Sequence, residues 1–331
     1  VTSGPLYDRL SGNLLALGGE THRRLRRIVQ PAFTPKAADR LRPAMREQLA
    51  DLVGAFAGTG RCEAVADLAK PYPARMIATL MGAPLEDAGR LGEWANTIQR
   101  QFDPLSLRDD LPTLERAADE FQAYARELIE QRRREPRDDL VSQLIALDEE
   151  GDRLSADEVL GIVSSVLVGG VDTTQSQLAH GLRLFAEHPD QWALLAERPE
   201  LAVNAVEEVL RFEPIAPFTA RITTEEVEYR DVVFPENTLV FACAHTANRD
   251  PDEIAAPDTF DIERDRGRAK PLTFGAGPHF CLGANLARAE LQEALTYLPS
   301  RMPGLELDGD LEFDTPLGLY GMRRLPLRFR A

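Results

Sequence analysis

The chain has 331 residues, 44% hydrophobic and 28% charged, enough for one large core or two modest ones in an ordinary globular protein. Its net charge of −16 has the wrong sign for binding nucleic acid or an anionic membrane, because such affinity rests on neutralising phosphates. Three widely spaced cysteines, Cys62, Cys243 and Cys281, give neither a disulfide framework nor a zinc pattern and fit a reducing cytoplasm.

Helix-period patterns dominate the first two thirds: 20–30, 35–57, 65–82, 85–101, 112–134, 137–148, 155–187, 190–197 and 199–212, punctuated by prolines. From 217 the texture changes to short β-type runs, "TARITT", "VEYR", "VVF" and "TLVFACA". An irregular stretch at 249–273 precedes a last helix at 283–298 and strands near 305, 312 and 325. We therefore expect a mostly α chain with a small β portion, folded as a single domain over 1–331. The most apolar run, "VLGIVSSVLVGGV", is too short to span a bilayer and ends at Asp172.

The segment 155–187 is the longest helical pattern, roughly 48 Å at 1.5 Å per residue, opened by a capping box of Ser155 and Glu158. It is apolar nearly all round in its middle, so it should run through the core. Into that middle comes "GGVDTT", two glycines, an acid and two hydroxyls, which weaken a helix where it ought to be strongest. Two readings stand: a local bend in which Thr173 bonds to the Gly169 carbonyl, or a notch that admits a small ligand beside a proton donor.

The stretch "FGAGPHFCLG" at 274–283 packs glycines and a proline around Cys281, a backbone shaped to hold one sulfur in place. It resembles the haem-binding loop F-x-x-G-x-x-x-C-x-G of the cytochromes P-450. Other marks of that family follow the same order: "GGVDTT" is similar to its acid-alcohol motif, Glu208 to Arg211 in "EEVLR" to its E-x-x-R pair, and "PDTFDIER" to its P-x-x-F-x-x-x-R stretch. "HRRLR", with His22 and Arg26, is similar to the bacterial H-x-x-x-R motif. The resemblance covers essentially the whole chain and implies the cytochrome P-450 fold built around a long central helix. It also implies that the family has several dozen residues ahead of the point where Val1 stands.

The resemblance implies haem b as cofactor, with Cys281 as the metal ligand. Leu282 and Gly283 would offer backbone N–H groups to the sulfur, Phe274 would cover it, and Gly275, Gly277 and Gly283 would let the loop turn. His22 and Arg26, at i and i+4 on one helix face, should reach the haem propionates, joined by Arg221 and His279. Glu208, Arg211 and Arg264 would form a supporting ion network behind the cysteine loop. Asp172 and Thr173 would deliver protons in a pocket too dry to supply them, with Gly169 and Gly170 leaving room for O₂. Val166, Pro217, Phe218, Thr219 and Leu319 are the expected substrate-pocket residues.

The implied activity is a monooxygenase that inserts one atom of O₂ into a small, largely apolar molecule. Its electrons would come from NAD(P)H through a reductase and a ferredoxin, since nothing in the chain resembles a flavin or nicotinamide fold. Arg23, Arg24, Arg27 and Arg288 would form a basic face for an acidic donor. The alternatives are a peroxide-driven or non-oxygenating haem-thiolate enzyme and a haem-binding protein without turnover.

Overall fold

The computed structural model describes residues 13–149, 154–265, 267, 270–316 and 318–331. Its helical part opens with α1 (Gly19–Val29), which turns His22, Leu25, Ile28 and Val29 inward. Next comes α2 (Pro35–Phe56), started by the Thr34 hydroxyl accepting from the Ala37 N–H and by proline at the first helical position. A short strand β1 (Arg61–Glu63) and a π-helical turn at Val65–Ala69 lead into α3 (Pro71–Met81), which stops at Gly82 in the left-handed region at φ +75°.

Four more helices follow: α4 (Ala88–Gln99), the short α5 (Pro104–Asp109), α6 (Leu111–Arg134) and α7 (Leu140–Glu149). The 155–187 pattern is two helices rather than one, α8 (Ala156–Gly170) and α9 (Asp172–Glu187), with Val171 between them at φ −90°, ψ −71°. Both Ser155 and Glu158 take part in the capping box. After α10 (Pro189–Glu197) and α11 (Ala202–Phe212) come the antiparallel pair β2 (Phe218–Ile222) with β5 (Leu239–Cys243) and, between them, the hairpin of β3 (Val227–Tyr229) with β4 (Val232–Phe234). The one-turn α12 (Ala244–Ala247) precedes the irregular stretch, and α13 (Ala284–Arg301) is the last helix. The chain closes with β6 (Glu306–Leu307), a hairpin of β7 (Glu312–Phe313) and β8 (Met322–Arg324), and β9 (Pro326–Arg328). Strand β9 is the centre of a small sheet ordered β1-β9-β6, so the C-terminus is sewn to a strand near residue 62.

The core sits around α8 and α9. Helix α8 packs on α3, α4 and α6, while α9 packs on α10, α11, α13 and the π-helical turn. Met76, Ile77, Leu167, Val171, Leu178 and Phe185 are among the residues fully enclosed there. Each such side chain contributes about 1.5–3 kcal/mol of transfer free energy, so this contact surface dominates the stability of the central helices. By contrast, one side of the β2–β5 pair carries Phe218, Ile222, Leu239 and Phe241 with about half of each side chain exposed. Among the described residues no helix is long and apolar enough to cross a membrane.

Three elements lack a readable sequence pattern: β1, α5 and α12 are three, six and four residues long, too short to show a period. Helix α13 runs three residues past its expected end and tolerates Pro299 in its last turn.

Candidate active site

The cysteine loop is built by two glycines held at positive φ, Gly275 at +71° and Gly277 at +76°, where side chains are rarely tolerated. The turn they make lets the Cys281 N–H donate to the Phe274 carbonyl at 2.9 Å, closing the loop on itself. Cys281 then leads directly into α13. Gly283, at φ −81°, stands in ordinary space and is not needed for the turn. Burial pushes the Cys281 thiol up, opposed by the backbone N–H groups of Gly283 and Ala284 and by the charges of Arg26 and Arg288. The donors are therefore those of Gly283 and Ala284, one residue further on than the expected Leu282 and Gly283. Phe274 carries the Arg288 guanidinium 4.6 Å from its ring centre, so a cation and an aromatic face flank the loop together.

Around this loop α1 assembles a rim of hydrogen-bond donors. The rings of His22 and His279 stack with centroids 4.0 Å apart, and Arg26 donates through Nη2 to the Phe280 carbonyl at 2.5 Å. Burial and then the neighbouring charges of His279, Arg26 and Arg23 hold His22 below its usual range. A pair of imidazoles and a guanidinium gathered beside a buried thiol suits a ligand with acidic groups at its edge and a metal at its centre. Arg221 does not join this group: it lies exposed on β2 and donates through Nη1 to the Ala220 carbonyl within its own strand. A strand arginine carries no local signal of the direction in which its long side chain will turn.

Glu208, Arg211 and Arg264 come together as one network. Arg211 makes a two-point contact with Glu208, Nε to Oε2 at 2.8 Å and Nη2 to Oε1 at 2.7 Å, with both residues almost fully buried. Arg264 adds a third bond to Glu208 Oε1 at 3.2 Å, and the Asp261 N–H donates to the same oxygen at 3.0 Å. The two arginines spend their other donors on the carbonyls of Asn248, Pro257, Ala256 and Thr259. The buried charges thus bind α11 to the irregular stretch that leads into the cysteine loop.

At the α8–α9 break, the Thr173 hydroxyl donates to the Gly169 carbonyl at 2.6 Å, while the Val171 N–H reaches its own carbonyl partner, Leu167, at 3.4 Å. The hydroxyl thus takes over a carbonyl that a regular helix would bond through backbone, and the helix divides there. The two glycines do different work. A Cβ on Gly170 would meet Ile77 Cδ1 at 2.4 Å, so any side chain there would force Ile77 of α3 to move, whereas among the described residues nothing lies within 4 Å of a Cβ on Gly169.

Asp172 has its carboxyl pushed up to about 7, first by burial and then by the negative charge of Asp314, against the opposing charge of Lys70. At neutral pH it is a mixture of acid and carboxylate, the condition a proton donor needs. Of the expected pocket residues, Val166 is buried on α8, Pro217 is buried at the entry to β2, and Leu319 is half-buried in the β7–β8 connection. Thr219 is half-buried, but Phe218 is largely exposed and its ring meets Phe241 edge-on. The structure thus places Phe218 against its partner strand.

Sequence reasoning missed Asp314, His180 and Glu290. Glu290 is enclosed in α13 and held well above the carboxylate range by burial, and its Oε2 has no hydrogen-bond partner among the described residues. Its place in "ARAELQEAL" reads as an ordinary helical acid, so only the fold reveals it.

A helical fold with its longest apolar segment broken at an acid-alcohol pair, and a glycine-shaped cysteine under a rim of histidines and arginine, defines a haem-thiolate class of enzyme. The chain belongs to the cytochrome P450 family, matching "Cytochrome P450" over residues 5–299. It is 39% identical over 329 residues to luteothin monooxygenase of Streptomyces thioluteus, covering 99% of this chain and 80% of that protein. It is 37% identical over 326 residues to mycinamicin IV hydroxylase/epoxidase of Micromonospora griseorubida, covering 97% and 80%. Among solved structures it is similar to that of P450BioI in complex with hexadec-9Z-enoic acid ligated acyl carrier protein. That match has a TM-score of 0.93 at 32% identity and covers 100% of this chain and 85% of that one. The chain is accordingly a P450 monooxygenase, an enzyme that uses haem with a cysteine thiolate ligand and acts on an organic substrate with O₂.

Proposed function

We propose that this enzyme carries haem b on Cys281 and oxygenates a small, largely apolar molecule, with electrons from NAD(P)H through a reductase and a ferredoxin. The observation that carries the reading is the meeting of the His22–His279 stack and Arg26 with the Cys281 loop, two elements 254 residues apart joined by the Arg26–Phe280 bond. Haem, when bound, supplies oxygen activation at its metal.

The chain's own residues do the rest. Cys281 holds the metal, with its negative charge supported by the Gly283 and Ala284 N–H groups and by Arg26 and Arg288. His22, His279 and Arg26 bind and orient the cofactor's acidic edge. Thr173 holds a proton at Oγ1 next to the distal space, and its bond to Gly169 fixes where that hydroxyl points. Asp172, poised near neutrality, replaces the proton that Thr173 passes on. Val166 and Leu319 contribute apolar wall, which excludes water and favours an apolar substrate. The free state of Cys62, Cys243 and Cys281 supports a cytoplasmic setting.

Labelled oxygen tests the reading. With a ferredoxin, its reductase, NAD(P)H and ¹⁸O₂, one labelled atom should enter the product of a substrate that shifts the haem spectrum. Product formed with added hydrogen peroxide but not with the electron donors would contradict it.

A further inference from the structure

The β7–β8 hairpin brings a second carboxylate to the acid of the central break. Helix α9 carries Asp172, Ser176 and His180 at four-residue intervals, one stripe along one face. The hairpin lies on that stripe. His180 is fully enclosed, bonds through Nε2 to the Tyr320 carbonyl at 2.9 Å, lies tilted 4.8 Å from the Tyr320 ring and stacks on Phe313 at 6.1 Å. Burial, then the charge of Arg183, pushes His180 down to about 3, so it stays neutral and acts as an anchor rather than a charge. Tyr320 is tied on its other side by its N–H to the Ile215 carbonyl at 2.7 Å.

Next to Tyr320 stands Gly321, and the space where its Cβ would lie is already contested. Ser176 Oγ is 2.8 Å from that point and Asp314 Oδ2 is 3.0 Å from it. Both oxygens therefore converge on the hydrogen face of Gly321, one helical turn from Asp172. The other carboxylate oxygen of Asp314, Oδ1, faces outward and accepts from Arg323 Nε at 2.6 Å. Asp314 is thus a two-sided group: one oxygen paired at the surface, the other turned inward toward Ser176. Charged groups reach Asp172 from two elements only among the described residues, Asp314 from the hairpin and Lys70 from the turn ahead of α3.

We propose that Asp314 is a positioning residue for proton delivery, setting how tightly Asp172 holds its proton through the charge that the hairpin presents at Gly321. The proposal rests on the reading of Asp172 as the distal proton donor. It makes a hairpin that also carries the pocket residue Leu319 part of the proton machinery. A retained proton on Asp172 near pH 7 then depends on a residue 142 positions away in sequence.

The test reads the Asp172 proton directly. Infrared difference spectra of the haem-loaded protein, each taken against its Asp172→Asn counterpart, follow the carbonyl stretch of the protonated carboxyl between pH 5 and 9. Asp314→Asn should lower the midpoint by about one pH unit, as removal of a near like charge does, and Asp314→Glu should restore it. Arg323→Gln, which frees the Asp314 charge, and Lys70→Gln, which removes the opposing one, should both raise the midpoint. These two variants keep the proposal testable even if Asp314→Asn perturbs the hairpin. A midpoint unmoved in Asp314→Asn and Arg323→Gln would overturn it. The carbon monoxide spectrum of the same samples separates the two layers: a normal thiolate band with an unmoved midpoint rejects the role of Asp314, and an absent band rejects the haem-thiolate reading beneath it.

Discussion

Two side chains at the break in the central helices carry opposite burdens. Thr173 contributes a hydroxyl that bonds the Gly169 carbonyl where α8 ends, so Thr173→Ala removes the group proposed to hold a proton without emptying the core. The expected result is substrate binding near the wild-type level and product per NAD(P)H lower by about tenfold, with hydrogen peroxide accumulating in its place. Asp172 is different because its carboxyl is raised, which sets a sign. A carboxyl held at about 7 in the folded chain and near 3.8 when unfolded contributes no penalty below the lower value, a growing one between the two, and a constant one above about 7. Proton supply should therefore fall on the alkaline side of about pH 7, seen as a descending limb in turnover that Asp172→Asn abolishes. The same variant, relieved of a buried charge, should melt higher than wild type at pH 8.5, by a smaller margin at pH 5, and by none at pH 3.5. Equal melting temperatures at all three values would show that Asp172 titrates as an ordinary surface acid.

At the scale of elements, legibility follows how local each determinant is. The Cys281 loop was readable because its glycines, its aromatic residue and its thiol lie within ten residues, and positive φ at Gly275 and Gly277 is a property of the backbone itself. The run 155–187 reads as one helix by its period, yet its weak point was legible in "GGVDTT": the local bend with Thr173 bonded to the Gly169 carbonyl is what divides it at Val171. The roles of the two glycines were not separable in sequence, since only the packing of Ile77 distinguishes Gly170 from Gly169. That difference is measurable. Gly170→Ala drives a methyl into Ile77 and should cost about 1–3 kcal/mol by overpacking, whereas Gly169→Ala meets nothing and should be neutral or slightly stabilising. Chemical denaturation of the two variants checks this, and equal losses would refute the assignment. Asp314 and His180 were illegible for the same reason: a stripe at four-residue spacing acquires meaning only when the hairpin is laid across it.

Over the whole molecule, the basic face expected around Cys281 is electrically mixed. Arg24 pairs with Glu158, Arg288 with Glu207, and Arg23 with Glu20 at 3.2 Å, the last pair well exposed. With a net charge of −16 behind them, these paired arginines give an acidic donor a weak local attraction and a general repulsion. Reversing Arg23 and Arg27 together should slow the first reduction by about threefold at low salt, through the association rate, and leave substrate affinity unchanged. A rate indifferent to the reversals would put the donor on another face.

Every role proposed for these side chains depends on a haem held by the Cys281 thiolate. The most direct measurement is the absorption spectrum of the reduced protein under carbon monoxide, taken for wild type and for Cys281→Ala. The wild type should show the red-shifted Soret band of a thiolate-ligated haem, and the variant should lose it. The same red-shifted band in Cys281→Ala, or none in the haem-loaded wild type, would rule out Cys281 as the thiolate ligand.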